Sequence, residues 1–225
     1  MIITKTFLAA GVLLGAVNLP AFGLSTLAEY AFNIDGIVAD SYLGDPIPSN
    51  VNLSGFDTTS GLGSILISLG GTGAHYGAVF LDHEIDQTLN TWFNEVGTVS
   101  GTPSAGQSWE IDEPGYTFGD IYTNLKAGNL DNSIGTPNPE DVSMALGWNF
   151  SLPAGETALL KFDVSRTSPT SGFFLVQTDP NSNQSLFFSS SLAVRGQSVP
   201  DGGSSLVLLL GAMAGLVGWR SFRTA

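Results

Sequence analysis

Along the middle of the chain, from Glu29 to Gln197, apolar residues fall at every second position in short runs, and Gly, Pro, Asn, Asp and Ser clusters separate the runs. A period of two with frequent turn residues predicts β-strands, and no long stretch carries the 3.6-residue apolar period of an amphipathic helix. The runs are Tyr30 to Val38, Val51 to Phe56, Ser64 to Leu69, Ala78 to Ile85, Ser108 to Ile111, Asp120 to Leu125, Val142 to Leu152, Glu156 to Ser165, Gly172 to Gln177 and Ser185 to Val194. In the seventh run Met144, Leu146, Trp148 and Phe150 share one face, opposite Ser143, Ala145, Gly147 and Asn149. In the eighth, Leu160, Phe162 and Val164 oppose Lys161, Asp163 and Ser165, and Pro153-Ala154-Gly155 between the two predicts a tight hairpin. About ten strands, each with one apolar face, predict an all-β fold, an antiparallel, jelly-roll-like β-sandwich over 29–197.

The two ends break this pattern. At the start, Lys5 precedes an apolar run from Phe7 to Val17, then Pro20 and small residues. That is the layout of a secretory signal peptide over 1–28, removed by signal peptidase, with cleavage after either Gly23 or Ala28. At the other end Val199-Pro200-Asp201-Gly202-Gly203-Ser204-Ser205 leads into the uncharged run Leu206 to Trp219 and a basic tail, 220–225, containing Arg220 and Arg223. Fourteen helical residues extend about 21 Å, against a hydrocarbon core of about 30 Å, so this transmembrane-type helix is a marginal anchor. Lys5, Arg220 and Arg223 should keep both ends cytoplasmic while the middle is translocated, giving a precursor looped through the inner membrane. Pro200 and the two glycines disfavour helix beside the membrane and leave an extended backbone that a protease can bind.

A short Pro-containing motif, an apolar helix and terminal arginines, in that order over 199–225, resemble the PEP-CTERM class of sorting signals, and VPDGGS resembles its VPDSG-type variant. The resemblance implies an exported bacterial protein whose tail is cut by an exosortase, an integral-membrane protease of exopolysaccharide-producing Gram-negative bacteria. It also implies that Val199, Pro200, Asp201, Gly202 and Gly203 form the processing element, although Gly202-Gly203 stands where the variant often has Ser-Gly or Thr-Gly. Segments such as GLGSILISLGGTGAHYGAVFLDHEID and DVSMALGWNFSLPAGETALLKFDVS look like the body of an uncharacterised group of such proteins. That second resemblance supports the β reading and implies no activity.

Charge narrows the function classes. The chain has a formal net charge of −13, and of its twenty carboxylates only Asp201 lies outside 29–197, where the basic residues are Lys126, Lys161, Arg166 and Arg195. Too few cations face too many carboxylates to neutralise a phosphate backbone, which argues against nucleic acid as a partner. With no cysteine the domain has no disulfide, thiolate metal site or cysteine nucleophile and must rest on its core.

Three groups of residues carry candidate chemistry. Asp82, Glu84 and Asp86 in DHEID would share one face of a strand, and three carboxylates so spaced could hold Ca2+; the competing expectation is a solvated acidic face that blunts a sheet edge. The run is not an EF-hand, since Gln87 and Phe93 occupy the positions of its glycine and final glutamate. Glu110, Asp112 and Glu113 in WEIDEPG could supply an acid and a base for glycan hydrolysis, with His75 and His83 as further titratable groups, but no GxSxG, HExxH or P-loop motif accompanies them. Trp92 and Trp109 could stack on sugar rings, whereas Trp148 lies on an apolar strand face and is expected in the core. The expectation is therefore a non-enzymatic protein of the cell surface or exopolysaccharide matrix, with no cofactor. A calcium- or carbohydrate-binding module and a carboxylate-dependent hydrolase are the alternatives.

Overall fold

A computed structural model describes residues 25–87, 91, 93–115, 117–135 and 139–196. The expected signal sequence before Ser25, Trp92, the processing motif from Val199 to Gly203 and the tail with Arg220 and Arg223 lie outside the described residues.

Two antiparallel sheets make up the domain. The first contains β1 (Ser25–Ile34), β2 (Ile37–Asp40), β5 (Gly73–Ile85), β7 (Gln107–Asp112) and β8 (Ser143–Leu152), in the order β2-β1-β5-β8-β7. The second contains β3 (Val51–Asp57), β4 (Leu62–Gly70), β6 (Val96–Ser100), β9 (Glu156–Ser165), β10 (Phe174–Asp179) and β11 (Gln184–Gly196), in the order β3-β4-β9-β11-β10-β6. Their facing sides share one core. Leu81, Met144 and Leu146 from the first sheet join Ile65, Ile67, Leu160, Phe162, Leu175 and Phe188 from the second, all completely buried. Each such side chain contributes on the order of 1.5–3 kcal/mol through removal from water, which is how a chain without disulfides holds two sheets together.

Four expectations are corrected. The run Tyr30 to Val38 is a hairpin, because Asp35 (φ 52°) and Gly36 (φ 84°) form the left-handed pair of a two-residue turn between β1 and β2. The boundary at Glu29 is too late: β1 begins at Ser25, with Ser25 opposite Ile85 and Leu27 opposite His83. The predicted β8–β9 hairpin does not form either. β8 pairs with β5 and β7, β9 pairs with β4 and β11, and Pro153-Ala154-Gly155 carries the chain from one sheet to the other. In this arch the apolar faces of the two strands meet across the core instead of lying side by side. The β4–β5 connection does the same, and the two arches are neighbours, since Gly73 pairs with Leu152 and Gly70 with Thr157.

The fourth correction is Asp120 to Leu125, which belongs to an α-helix, α1 (Ile121–Ala127). Ile121 and Leu125 are one turn apart and pack on Ala31, Phe80, Ala78 and Ala145 on the outer face of the first sheet. Gly128 ends the helix in the left-handed conformation (φ 68°), and Asn33 Nδ2 donates to the terminal carbonyls of Leu125 (2.7 Å) and Lys126 (3.2 Å). The middle of the first sheet is thus covered on both sides, so β5 is buried from Tyr76 to its end.

Candidate functional site

Alternation along β5 sends Val79 and Leu81 into the main core, while Ala78 and Phe80 face α1. Asp82 and Glu84 continue the α1-facing series beyond the helix. Strand register then lines up a polar row across the sheet: Glu29 opposes Asp82, Asp82 opposes Ser143, and Ser143 opposes Asp112. In the neighbouring row Asp40 opposes Ala31 and Glu110 opposes Ala145. Carboxylates therefore fringe the patch that α1 covers.

Those at the margins anchor the helix and its flanks. Asp40 accepts the Tyr122 hydroxyl, Glu110 accepts from Asn124 Nδ2 (2.9 Å) and the Asp131 amide (3.2 Å), and Asp112 accepts from the Asp120 amide (2.8 Å). Of the acid and base candidates Glu110, Asp112 and Glu113, both oxygens of Glu110 and one of Asp112 are thus engaged in holding this segment down. Glu110 nevertheless has its pKa raised to about 7, chiefly by burial, against which these two donors act.

Beyond them stands a trio of carboxylates, Asp82, Glu84 and Asp141, with one oxygen of each lying within 4.8 Å of the others. Ser143, opposite Asp82, is the first residue of β8, and Asp141 stands two residues before it, so the chain's entry into β8 brings Asp141 to the group. Asp82 Oδ1 accepts from Ser143 Oγ at 2.8 Å. Glu84 Oε2 and Asp141 Oδ1 are buried and have no hydrogen-bond partner. The pKa of Asp82 is pushed up to about 6, that of Glu84 to about 7 and that of Asp141 to about 8, by burial first. For Glu84 the charge of Asp82 adds to this, and for Asp141 the charges of Asp82, Glu84 and Glu113. Nearby Glu95, which accepts from the Ile85 amide (2.8 Å) and from Gln177 Nε2, is raised to about 9, again mainly by burial.

The structure thus groups Asp82 and Glu84 with Asp141, and not with Asp86 as the strand pattern suggested. Asp86 is absent from the cluster: β5 stops at Ile85 and Asp86 takes a left-handed φ of 56°, which breaks the alternation. Asp141, from another part of the chain, takes its place. The acidic face is also no solvated edge, since Asp82 is 3% and Glu84 8% exposed and β5 runs between β1 and β8. A second group, Glu110, Asp120 and Asp131, has the same close spacing, but Asp120 and Asp131 are exposed.

The histidines stand apart from one another. His83 points away from its acidic neighbours, fully buried, with Nε2 donating to the Gly61 carbonyl (3.1 Å), and burial lowers its pKa to about 4, keeping it neutral. His75 Nδ1 lies 2.9 Å from Asp35 Oδ2, which raises its pKa, and its ring stacks on Phe150. Trp109, the other candidate sugar platform, is half-buried: its ring packs against the main core and leans on Phe173 at 5.8 Å. Trp148 is buried as expected, with Nε1 donating to Ser190 Oγ (2.9 Å). A shallow cleft of about 540 Å³ lies beside α1, lined by Glu29, Asp40, Asp45, Tyr42, Tyr122 and Lys126 among others.

No curated protein and no solved structure matches the chain. A family model described as the VPDSG-CTERM motif matches residues 198–222, covering Val199 to Gly203, the apolar run and Arg220, and stopping one residue short of Arg223. β11 ends at Gly196, so the match begins two residues after the last strand of the second sheet. The chain therefore carries a PEP-CTERM-type sorting signal of the VPDSG variant, the mark of an exported, exosortase-dependent protein.

Proposed function

We propose that the protein is a non-enzymatic component of the cell surface or extracellular polysaccharide matrix, a β-sandwich delivered by its C-terminal signal and released from the inner membrane by an exosortase. The sorting motif directly after β11 carries this reading. With Gly196 still paired to Glu156, almost no linker separates the folded domain from the processing element, so an uncut precursor would hold the domain against the membrane. Cutting at 199–203 frees it. The engagement of Glu110 and Asp112 in anchoring the α1 segment supports a structural role over a hydrolytic one.

Expression with and without an exosortase tests the reading. With the enzyme, the exported product should lose the mass of the tail beyond the motif and leave the membrane fraction. Replacing Pro200 and Asp201 by Ala should leave it full length and membrane-bound. Equal masses in both hosts would refute the sorting role, and turnover of a glycan that disappears in Glu110→Gln or Asp112→Asn would refute the non-enzymatic one.

A further inference from the structure

We infer that Asp82, Glu84 and Asp141 form a calcium-binding site on the outer face of the first sheet, beyond the sorting role proposed above. Spacing is the first argument. Oxygens within 4.8 Å of one another can all reach a common ion, because two ligands at the 2.3–2.6 Å of a Ca–O bond stand at most about 5 Å apart.

Two stranded oxygens are the second argument. Glu84 is more than nine-tenths buried, yet its Oε2 has no hydrogen-bond partner, and Asp141 Oδ1 is buried and unpartnered beside it. Buried carboxylate oxygens without donors are expensive, and a cation between the two strands would satisfy both at once. Asp82 is already oriented for the task, its Oδ1 held by the Ser143 hydroxyl.

Charge is the third. Glu113 lies close enough to act on Asp141, and Glu95 senses both Glu84 and Asp141, so five carboxylates converge on this end of the sheet. Among the described residues the recorded ion pairs are His75–Asp35 and Lys161–Asp163, and neither brings a positive charge here. An all-oxygen, anionic ligand set selects a hard divalent ion. Ca2+ is assigned over Mg2+ because it accepts irregular geometry and a variable number of carboxylate and water ligands, whereas Mg2+ demands a near-ideal octahedron and dehydrates reluctantly. Asp141 is only half-buried, which leaves a side for water ligands. The Glu110, Asp120 and Asp131 group lacks these features, as both Glu110 oxygens already have donors.

The test uses the exported protein, stripped with chelator and melted in rising CaCl2. Saturating Ca2+, at about a hundredfold its dissociation constant, should raise the wild-type midpoint by roughly 5–10 °C, and calorimetric titration should find one ion per chain. In the Glu84→Gln/Asp141→Asn double variant the metal-free midpoint should equal or exceed that of the wild type, because repulsion is relieved, while the response to Ca2+ disappears. An Asp131→Asn variant should keep the full response. No wild-type shift by about 10 mM Ca2+, ten times the weakest affinity typical of extracellular calcium modules, overturns the site. So does a response that survives in the double variant or vanishes in Asp131→Asn, and an equal shift with Mg2+ overturns the assignment to calcium.

Discussion

Gly61 and His83 are locked together across the two sheets: the imidazole Nε2 donates to the Gly61 carbonyl at 3.1 Å, and a Cβ on Gly61 would stand 2.0 Å from that nitrogen. The glycine also adopts φ +68°, which a side chain disfavours. Because the ring is fully buried, it has nowhere to retreat. Gly61→Ala should therefore cost about 2–4 kcal/mol, read as a lowered urea midpoint with unchanged slope. A midpoint equal to that of the wild type would show that the β3–β4 turn is free to shift and that the contact is not restrictive.

The same turn bears on where the mature chain begins. Leu27 N donates to the Thr59 carbonyl (2.9 Å), Ser25 Oγ donates to the Ser60 carbonyl (3.0 Å), and Arg166 reaches Ser25 Oγ at 3.1 Å. Cleavage after Ala28 would remove these contacts and the buried Leu27, whereas cleavage after Gly23 leaves β1 whole. The mature N-terminus is expected at Leu24, as intact-mass measurement of the exported protein will show. A terminus at Glu29 would contradict this and would leave β5 unpaired from His83 to Ile85 on its β1 side.

What the sequence reveals here, and what it withholds, follows from the range of the interactions. β9 spans the same residues in pattern and structure, since alternation of Leu160, Phe162 and Val164 is a local property. Its partner is not local: the same alternation suits a hairpin or an arch, and only the whole core selects the arch. β6 escapes notice because of its five residues only Gly97 is buried, so no apolar alternation marks it. α1 is mistaken for a strand because seven residues carry only two fully buried anchors, Ile121 and Leu125; their four-residue spacing followed by Gly128 is the signal that identifies it. Of the proposed cation site, Asp82 and Glu84 are visible as neighbours on one strand face, while Asp141 is brought in by the entry into β8, whose Ser143 bonds Asp82 across a separation of 61 residues.

Phe162 tests whether the shared core holds the sandwich together. Its ring is completely buried in β9 and lies 6.2 Å from that of Phe188. Phe162→Ala should cost about 3–5 kcal/mol through lost burial and the cavity left behind, lowering the melting midpoint by roughly 10 °C. Val194→Ala, on the exposed end of β11 in the same sheet, should stay within about 0.5 kcal/mol of the wild type. Similar losses in both would mean that strand pairing, not the core between the sheets, dominates stability.

Glu110 gives the fold a predictable pH dependence in chelator. Burial raises its pKa to about 7 in the folded chain, from an ordinary value of 4.5. Between those two values the folded protein binds more protons than the unfolded chain, so its stability must fall as pH rises. The contribution is complete below about pH 4.5 and gone once pH passes the folded value near 7. Other raised carboxylates act in the same direction, which makes the comparison between variants the informative one. Glu110→Gln keeps the shape of the side chain and removes the charge, so thermal melts at pH 5 and pH 8 should show a smaller loss for the variant, by on the order of 1 kcal/mol. Parallel pH profiles would mean that the two hydrogen bonds from Asn124 and Asp131 fully offset the burial, and a steeper fall in the variant would reverse the sign argued for Glu110.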